Sequence, residues 1–349
     1  MKKYLSIILI VLALVAGAFA QTTNRKYEVT FFGAPPKGQT VWNLPRSVAA
    51  DGKGSIFVFR GSDPPVLIFN REGELQKAWG EGMFPDAHSI DLDREGNLWL
   101  TDRDAHMVYK YTRDGKQLMT LGKKGMAGDN KSTDLFNGPA DVAIAANGDI
   151  FVADGHFNSR IVHFSKDGKF IKIIGGTKGP GPGQLEVPHA LVIDSKGRLI
   201  VADEQSTARN ARIQIFDQSG KFVEQWTDIG LEQPTGLAIA ADDTVYVGDT
   251  DGNSITILKD GKVIDVIGFL QARPHNIALD PGTGVLYLTD PPTPMRAGGI
   301  FGGAAQAAAA APAVAAASAA PQRNTGAGSV DRTQERIQGG LVKQVIKKK

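Results

Sequence analysis

The feature that most constrains this chain is repetition. "LPRSVAADGKGSIFVFRG", beginning at Leu44, is followed by "PDAHSIDLDREGNLWLTD", "GPADVAIAANGDIFVADG", "VPHALVIDSKGRLIVADE", "QPTGLAIAADDTVYVGDT" and "RPHNIALDPGTGVLYLTD". Each copy is a short alternating strand, a Gly or Asp turn, and a second apolar strand that usually ends in Asp. Most copies continue into a third strand such as "RIVHFS" or "RIQIFD", then a tight Asp-Gly or Ser-Gly turn and a fourth strand such as "KFIKIIG". A unit that cannot bury both its faces alone must pack against its neighbours, and four antiparallel strands repeating at roughly 40 to 50 residues predict the blade of a β-propeller. The expected fold is therefore all-β, a six-bladed propeller spanning residues 21–296.

The sixth copy lacks an obvious fourth strand, and "KYEVTFFG" (Lys26 to Gly33) is a spare strand ahead of the first copy. Joining the two closes a ring, so the N-terminal strand is expected to complete blade six. From Ala297 the composition changes to Ala, Gly, Pro and Ser, which offer little to bury, and residues 297–337 read as a disordered segment. Residues 338–349, "GGLVKQVIKKK" with its flanking residue, fit either the missing third strand of blade six or a basic tail.

The first twenty residues stand apart. Lys2 and Lys3, the apolar run Leu5 to Val15 and the small-residue site Ala18-Phe19-Ala20 have the pattern of a cleavable secretory signal (1–20). The run is too short to span a bilayer comfortably. A periplasmic or secreted protein is expected, with no transmembrane segment after cleavage. The chain has no cysteine, which excludes a lipoprotein anchor and disulfides, so the core alone must hold it together. Its net charge is only +2, and no basic patch is interleaved with aromatics, so nucleic acid is not an expected partner. A propeller is self-contained, and a monomer is expected.

Counting back fourteen residues from the end of each second strand gives one register position in every blade: Arg46, His88, Ala140, His189, Thr235 and His275, the last needing fifteen because of the "PGTG" turn. Histidine fills every second blade. Chance would put far fewer than one of the chain's six histidines in six chosen places. The first strand of a blade is innermost, so these residues stand at the rim of the central channel, where alternate blades are related by threefold rotation. His88, His189 and His275 should converge on the axis. Three neutral imidazoles with a fourth position open are the ligand set of a catalytic zinc. Pro188 and Pro274 fix the approach to their histidines. The repeated Asp102, Asp154, Asp203, Asp249 and Asp290 read as structural hydrogen-bonding groups, and His106 and His163, outside the register, as ordinary turn or strand residues.

In these motifs the chain resembles the NHL-repeat propellers, and among them the peptidyl-α-hydroxyglycine α-amidating lyases. The resemblance runs from about Leu44 to Asp290 and is closest in "PADVAIAANGDIFVADGHFNSRIVHFSKDGKFI" and "GQLEVPHALVID". It implies a six-bladed propeller with zinc on His88, His189 and His275, and a substrate-binding arginine at Arg46. Where the family has its proposed base, a tyrosine in "DGYCNSR", this chain has His156. Where the family has a second arginine after "VAD" in blade four, it has Glu204, and the acidic residue that the family links to a calcium is Asn276. The activity implied is cleavage of a carbinolamide C–N bond in a small-molecule or peptide substrate; His156 then reads either as a base in the tyrosine's place, since imidazole titrates near neutral pH, or as a hydrogen-bonded residue at a blade turn. A carboxylate at Glu204 would repel a carboxylate substrate, which points to a neutral, cationic or different one. Two other readings compete: a non-catalytic binding scaffold with a structural metal and a protein partner on the propeller face, and a calcium-dependent lactonase, which fits less well because the rim supplies imidazole rather than oxygen.

Overall fold

The computed structural model describes residues 26–39, 41–204, 211–268, 270, 272–291 and 341–348. The expected signal segment and the Ala-rich segment 297–337 lie outside the described residues. Within them the chain forms six four-stranded antiparallel sheets and no helix. Blades one to five each follow chain order from the inner to the outer strand. Their inner strands are Pro45–Ala50, Ala87–Leu92, Asp141–Ile144, Pro188–Ile193 and Pro234–Ile239.

Blade six is assembled from both ends of the chain. Its order is Asn276–Leu279, Leu286–Asp290, Leu341–Lys347 and Tyr27–Phe31. The N-terminal strand is the outermost, as expected. The stretch that the sequence left open between strand and tail is the third strand, with Leu286 opposite Val345 on one side and Tyr27 opposite Lys347 on the other.

Burial falls from the axis outward. Second strands such as Leu98–Asp102, Ile150–Asp154 and Leu199–Asp203 are buried at every position, because each of their faces meets a neighbouring blade. Outer strands such as Gln117–Leu121 are largely exposed. Turns between third and fourth strands use left-handed glycines, for example Gly115 at φ 86° and Gly168 at φ 74°. The hydrophobic core is not one mass but six, one at each blade interface. One cluster packs Phe57 and Phe59 of blade one against Leu98 and Tyr109 of blade two. The last packs Tyr287 and Val342 of blade six against Val58 and Phe69 of blade one, which closes the ring.

Candidate metal centre and its surroundings

Each rim residue is placed by an irregularity in its own strand. Pairing between inner and second strands slips between Pro45 and Ser47, Ala87 and Ile90, Pro188 and Ala190, and Pro234 and Gly236. The skipped residues include Arg46, His88, His189 and Thr235. A bulge releases a residue from the pleat and re-aims its side chain, here at the channel mouth. In blades three and six the pairing starts just after the rim residue, with Ala140 and His275 donating their N–H groups to Ala153 O and Thr289 O. The aspartates that end the second strands hold the loop before each rim residue. Asp203 accepts from Glu186 N and Val187 N, Asp249 from Glu232 N and Gln233 N, and Asp102 from Asp86 N.

The structure brings His88, His189 and His275 together. Their ring centroids are 5.1 to 5.2 Å apart, nearly an equilateral triangle, and each offers a ligand atom within 4.8 Å of the others. All three are buried. The Nδ1 of His88 lies 2.7 Å from Ala140 O, that of His189 2.8 Å from Thr235 O, and that of His275 2.9 Å from Arg46 O. These carbonyls belong to the rim residues of the next blade round the ring. A carbonyl only accepts, so Nδ1 carries the proton and Nε2 the lone pair. His88 Nε2 is buried without a hydrogen-bond partner. Burial first, and neighbouring imidazoles and arginines second, hold His88 and His275 well below the usual histidine pKa, so both are neutral at neutral pH. Three imidazoles, each with its Nδ1 held by a carbonyl and one Nε2 left bare, fit a metal ion of zinc's preferences. A cavity of about 10 Å³ lies beside the rings, lined also by Ser89, Asp141 and Asn276.

His156 joins this group from blade three. Its ring is 4.3 Å from that of His88 and 5.3 Å from that of His189. Its Nδ1 is 3.0 Å from Gly138 O, so its lone pair also resides on Nε2, and burial again holds its pKa well below the usual value. The chain bends tightly here. A Cβ on Gly155 would lie 2.0 Å from Pro188 O, and one on Gly138 would lie 2.8 Å from the His156 Cβ. Glycine at both places lets blade three's loop press against the strand that carries His189.

Charged groups surround the imidazoles. Arg46 is buried and its Nη2 donates to Asp86 at 3.0 Å, while its Nε and Nη1 make no hydrogen bond. Arg103 reaches the other oxygen of Asp86 at 2.7 Å. Burial raises the Asp86 carboxyl and lowers the Arg46 guanidinium, each opposed by the other. With two guanidinium partners, Asp86 is ionised at neutral pH. Arg60, which replaces the terminal aspartate in blade one, is turned away, donating to Pro64 O, Trp42 O, Asp63 O and Gln39. In blade four, Glu204 Oε2 is 3.9 Å from His189 Nε2, and its Oε1 accepts from the Gln233 amide. Asn276 Oδ1 accepts from Val48 N and ties blade six to blade one.

Sequence reasoning did not single out Asp86, Arg103 or Gln233, nor Asp91 and Asp141, which face one another in the channel with burial raising both carboxyls. No repeat register marks these residues. His106 and His163 sit apart from the centre: His106 Nδ1 accepts from Gly138 N in a turn, and His163 stacks on Phe151 and pairs with Asp149.

The NHL repeat family model matches residues 136–164. "Peptidyl-glycine alpha-amidating monooxygenase B" of Xenopus laevis is 36% identical over 248 residues, 64% of this chain and 27% of that protein. A "probable peptidyl-alpha-hydroxyglycine alpha-amidating lyase" of Caenorhabditis elegans is 36% identical over 154 residues, 43% of this chain and 42% of that protein. The chain thus spans about a quarter of the amphibian monooxygenase and under half of the nematode lyase. Among solved structures, a streptogramin B lyase superposes with a TM-score of 0.55 at 17% identity, covering 76% of this chain and 81% of that one, which is a likeness of fold. By its repeats, its six closed blades and these relatives, the chain is a six-bladed NHL-repeat β-propeller resembling the peptidyl-α-hydroxyglycine α-amidating lyases.

Proposed function

We propose that this protein is an exported, zinc-dependent lyase that cleaves the C–N bond of a carbinolamide, converting an N-acyl-α-hydroxyglycine-like substrate to glyoxylate and an amide. The observation that supports it most is the His88–His189–His275 triangle with every Nδ1 pinned to a carbonyl. Zinc held there supplies a Lewis acid that acidifies the substrate hydroxyl. His156 Nε2 takes the hydroxyl proton and returns it to the leaving nitrogen as the C–N bond breaks and the C=O bond forms. Arg46 offers its unpartnered Nε and Nη1 to the substrate carboxylate. Export rests on the N-terminal signal pattern, and no helix among the described residues is long and apolar enough to cross a membrane.

Elemental analysis of the mature protein beside His189→Ala tests the metal, and release of glyoxylate from N-benzoyl-α-hydroxyglycine tests the reaction. Close to one zinc per chain, lost in the variant, together with turnover is the expected result. No metal after incubation with zinc would overturn the reading.

The contact between His156 and His88 favours a second reading. If His156 becomes a fourth imidazole ligand, the ion is closed off and structural, and the propeller is a binding scaffold. A cobalt-substituted protein whose visible spectrum shifts when N-benzoyl-α-hydroxyglycine is added has an open position, and one that does not shift supports the scaffold.

A further inference from the structure

The fixed charges round the three imidazoles are divided between opposite sides. Arg46 and Arg103, from blades one and two, share the buried carboxylate of Asp86, and Arg103 also pairs with the more exposed Asp104 at 3.0 Å, so both guanidiniums are gathered on that flank. Arg46 is 6% exposed, and two of its three nitrogens have no hydrogen-bond partner. A desolvated cation with unused donors is costly unless a ligand completes it. Its main-chain carbonyl holds His275, so this flank adjoins one corner of the triangle. Blade four lies across the channel. There Glu204, 3% exposed, stands 3.9 Å from His189 Nε2, with the neutral Gln233 amide on its other oxygen.

We propose that the site is bipolar and that Glu204 determines its specificity: the substrate is a small molecule with a carboxylate facing Arg46 and Arg103 and a cationic or N–H-donating group facing Glu204. The chemical identity of the reacting centre rests on the lyase reading above, but the charge order does not. A unit charge about 6 Å from Glu204, in surroundings of effective dielectric about 20, gains or loses on the order of 100-fold in affinity. Glu204 is also a filter against dianionic substrates, since like charges brought together in a buried site repel more strongly than in water.

The test uses three N-acylglycines that differ only at the far end: β-alanylglycine (cationic), N-butanoylglycine (neutral) and N-succinylglycine (anionic). Titration calorimetry on the zinc-loaded protein should show β-alanylglycine binding about 100-fold more tightly than the neutral compound and about 10,000-fold more tightly than N-succinylglycine. Glu204→Gln should reduce both ratios to below about fivefold, and Arg46→Met, or Arg103→Gln where Arg46→Met does not fold, should weaken all three alike. Equal binding of the three by the unaltered protein overturns the proposal, even where no Glu204 variant folds. So do unchanged ratios in Glu204→Gln. A Glu204→Gln protein that loses zinc affinity tenfold while keeping the ratios shows a metal ligand instead, which also overturns it. The α-hydroxylated forms of the same compounds separate the two readings. Charge-ordered binding without glyoxylate release sinks the lyase and leaves the bipolar site standing, whereas release without charge order does the reverse.

Discussion

At the scale of single residues the centre depends on imidazoles kept neutral by burial. For each of His88, His156 and His275 the folded-state pKa lies well below the usual 6.5, so between those two values the unfolded chain binds a proton that the folded chain refuses. Their contribution to stability is therefore fully present above about pH 6.5 and is lost as pH falls below it, with a slope of up to about 1.4 kcal/mol per pH unit for each. Urea denaturation of the metal-free protein at pH 7.5, 6.0 and 5.0 should show this decline, and His88→Gln should make it shallower. Removing one triangle member, as in His275→Ala, should weaken zinc binding at least 100-fold in a competition titration, because two imidazoles and water replace a preformed set of three. The triangle was legible in the sequence because repetition supplies its own alignment: His88, His189 and His275 share one place in alternate copies. Asp86 and Arg103 were not legible, because each occurs in one blade only and their partnership with Arg46 is a contact across a blade interface.

Individual elements position those residues, and the loops into the inner strands bear most of that task. Asp203 holds one of them, accepting the Glu186 and Val187 N–H groups while pairing with the buried Arg212 at 2.8 Å. Asp203→Ala should cost about 3–5 kcal/mol by leaving Arg212 buried and unpaired, and should also lower zinc affinity by freeing the approach to His189. The repeat foretold a structural aspartate at this position. Its bonding to the loop of its own blade is something that strand pattern alone does not reveal. Gly155 makes the same point for the loop of blade three. Gly155→Ala would drive a methyl group into the Pro188 carbonyl and should destabilise the protein by about 3 kcal/mol or more, measurable as a fall in Tm. The bulges that skip Arg46, His88, His189 and Thr235 were equally hidden, since an irregular pairing leaves no mark on an alternating apolar pattern.

The whole molecule is a ring whose last joint is made by strands from opposite ends of the chain. A chain ending at residue 340 would lose the strand between Leu286–Asp290 and Tyr27–Phe31, leaving two open edges and removing Val342 and Val345 from two interface cores. It should unfold at a markedly lower urea concentration than the full chain and aggregate on refolding, as far-ultraviolet circular dichroism and light scattering would show. The all-β class, the number of blades, the N-terminal strand's place and the three rim histidines follow from the sequence by itself, because a repeated strand pattern fixes which faces must be buried and a ring fixes where alternate copies meet. Other features are decided only by the tertiary structure. These are the insertion of Leu341–Lys347 into blade six, the carbonyls that set each imidazole's tautomer, and the division of charge between Arg46 with Arg103 and Glu204. Each depends on groups far apart in the chain or on neighbouring blades, and their approach is set by packing across interfaces rather than by any local preference of the residues themselves.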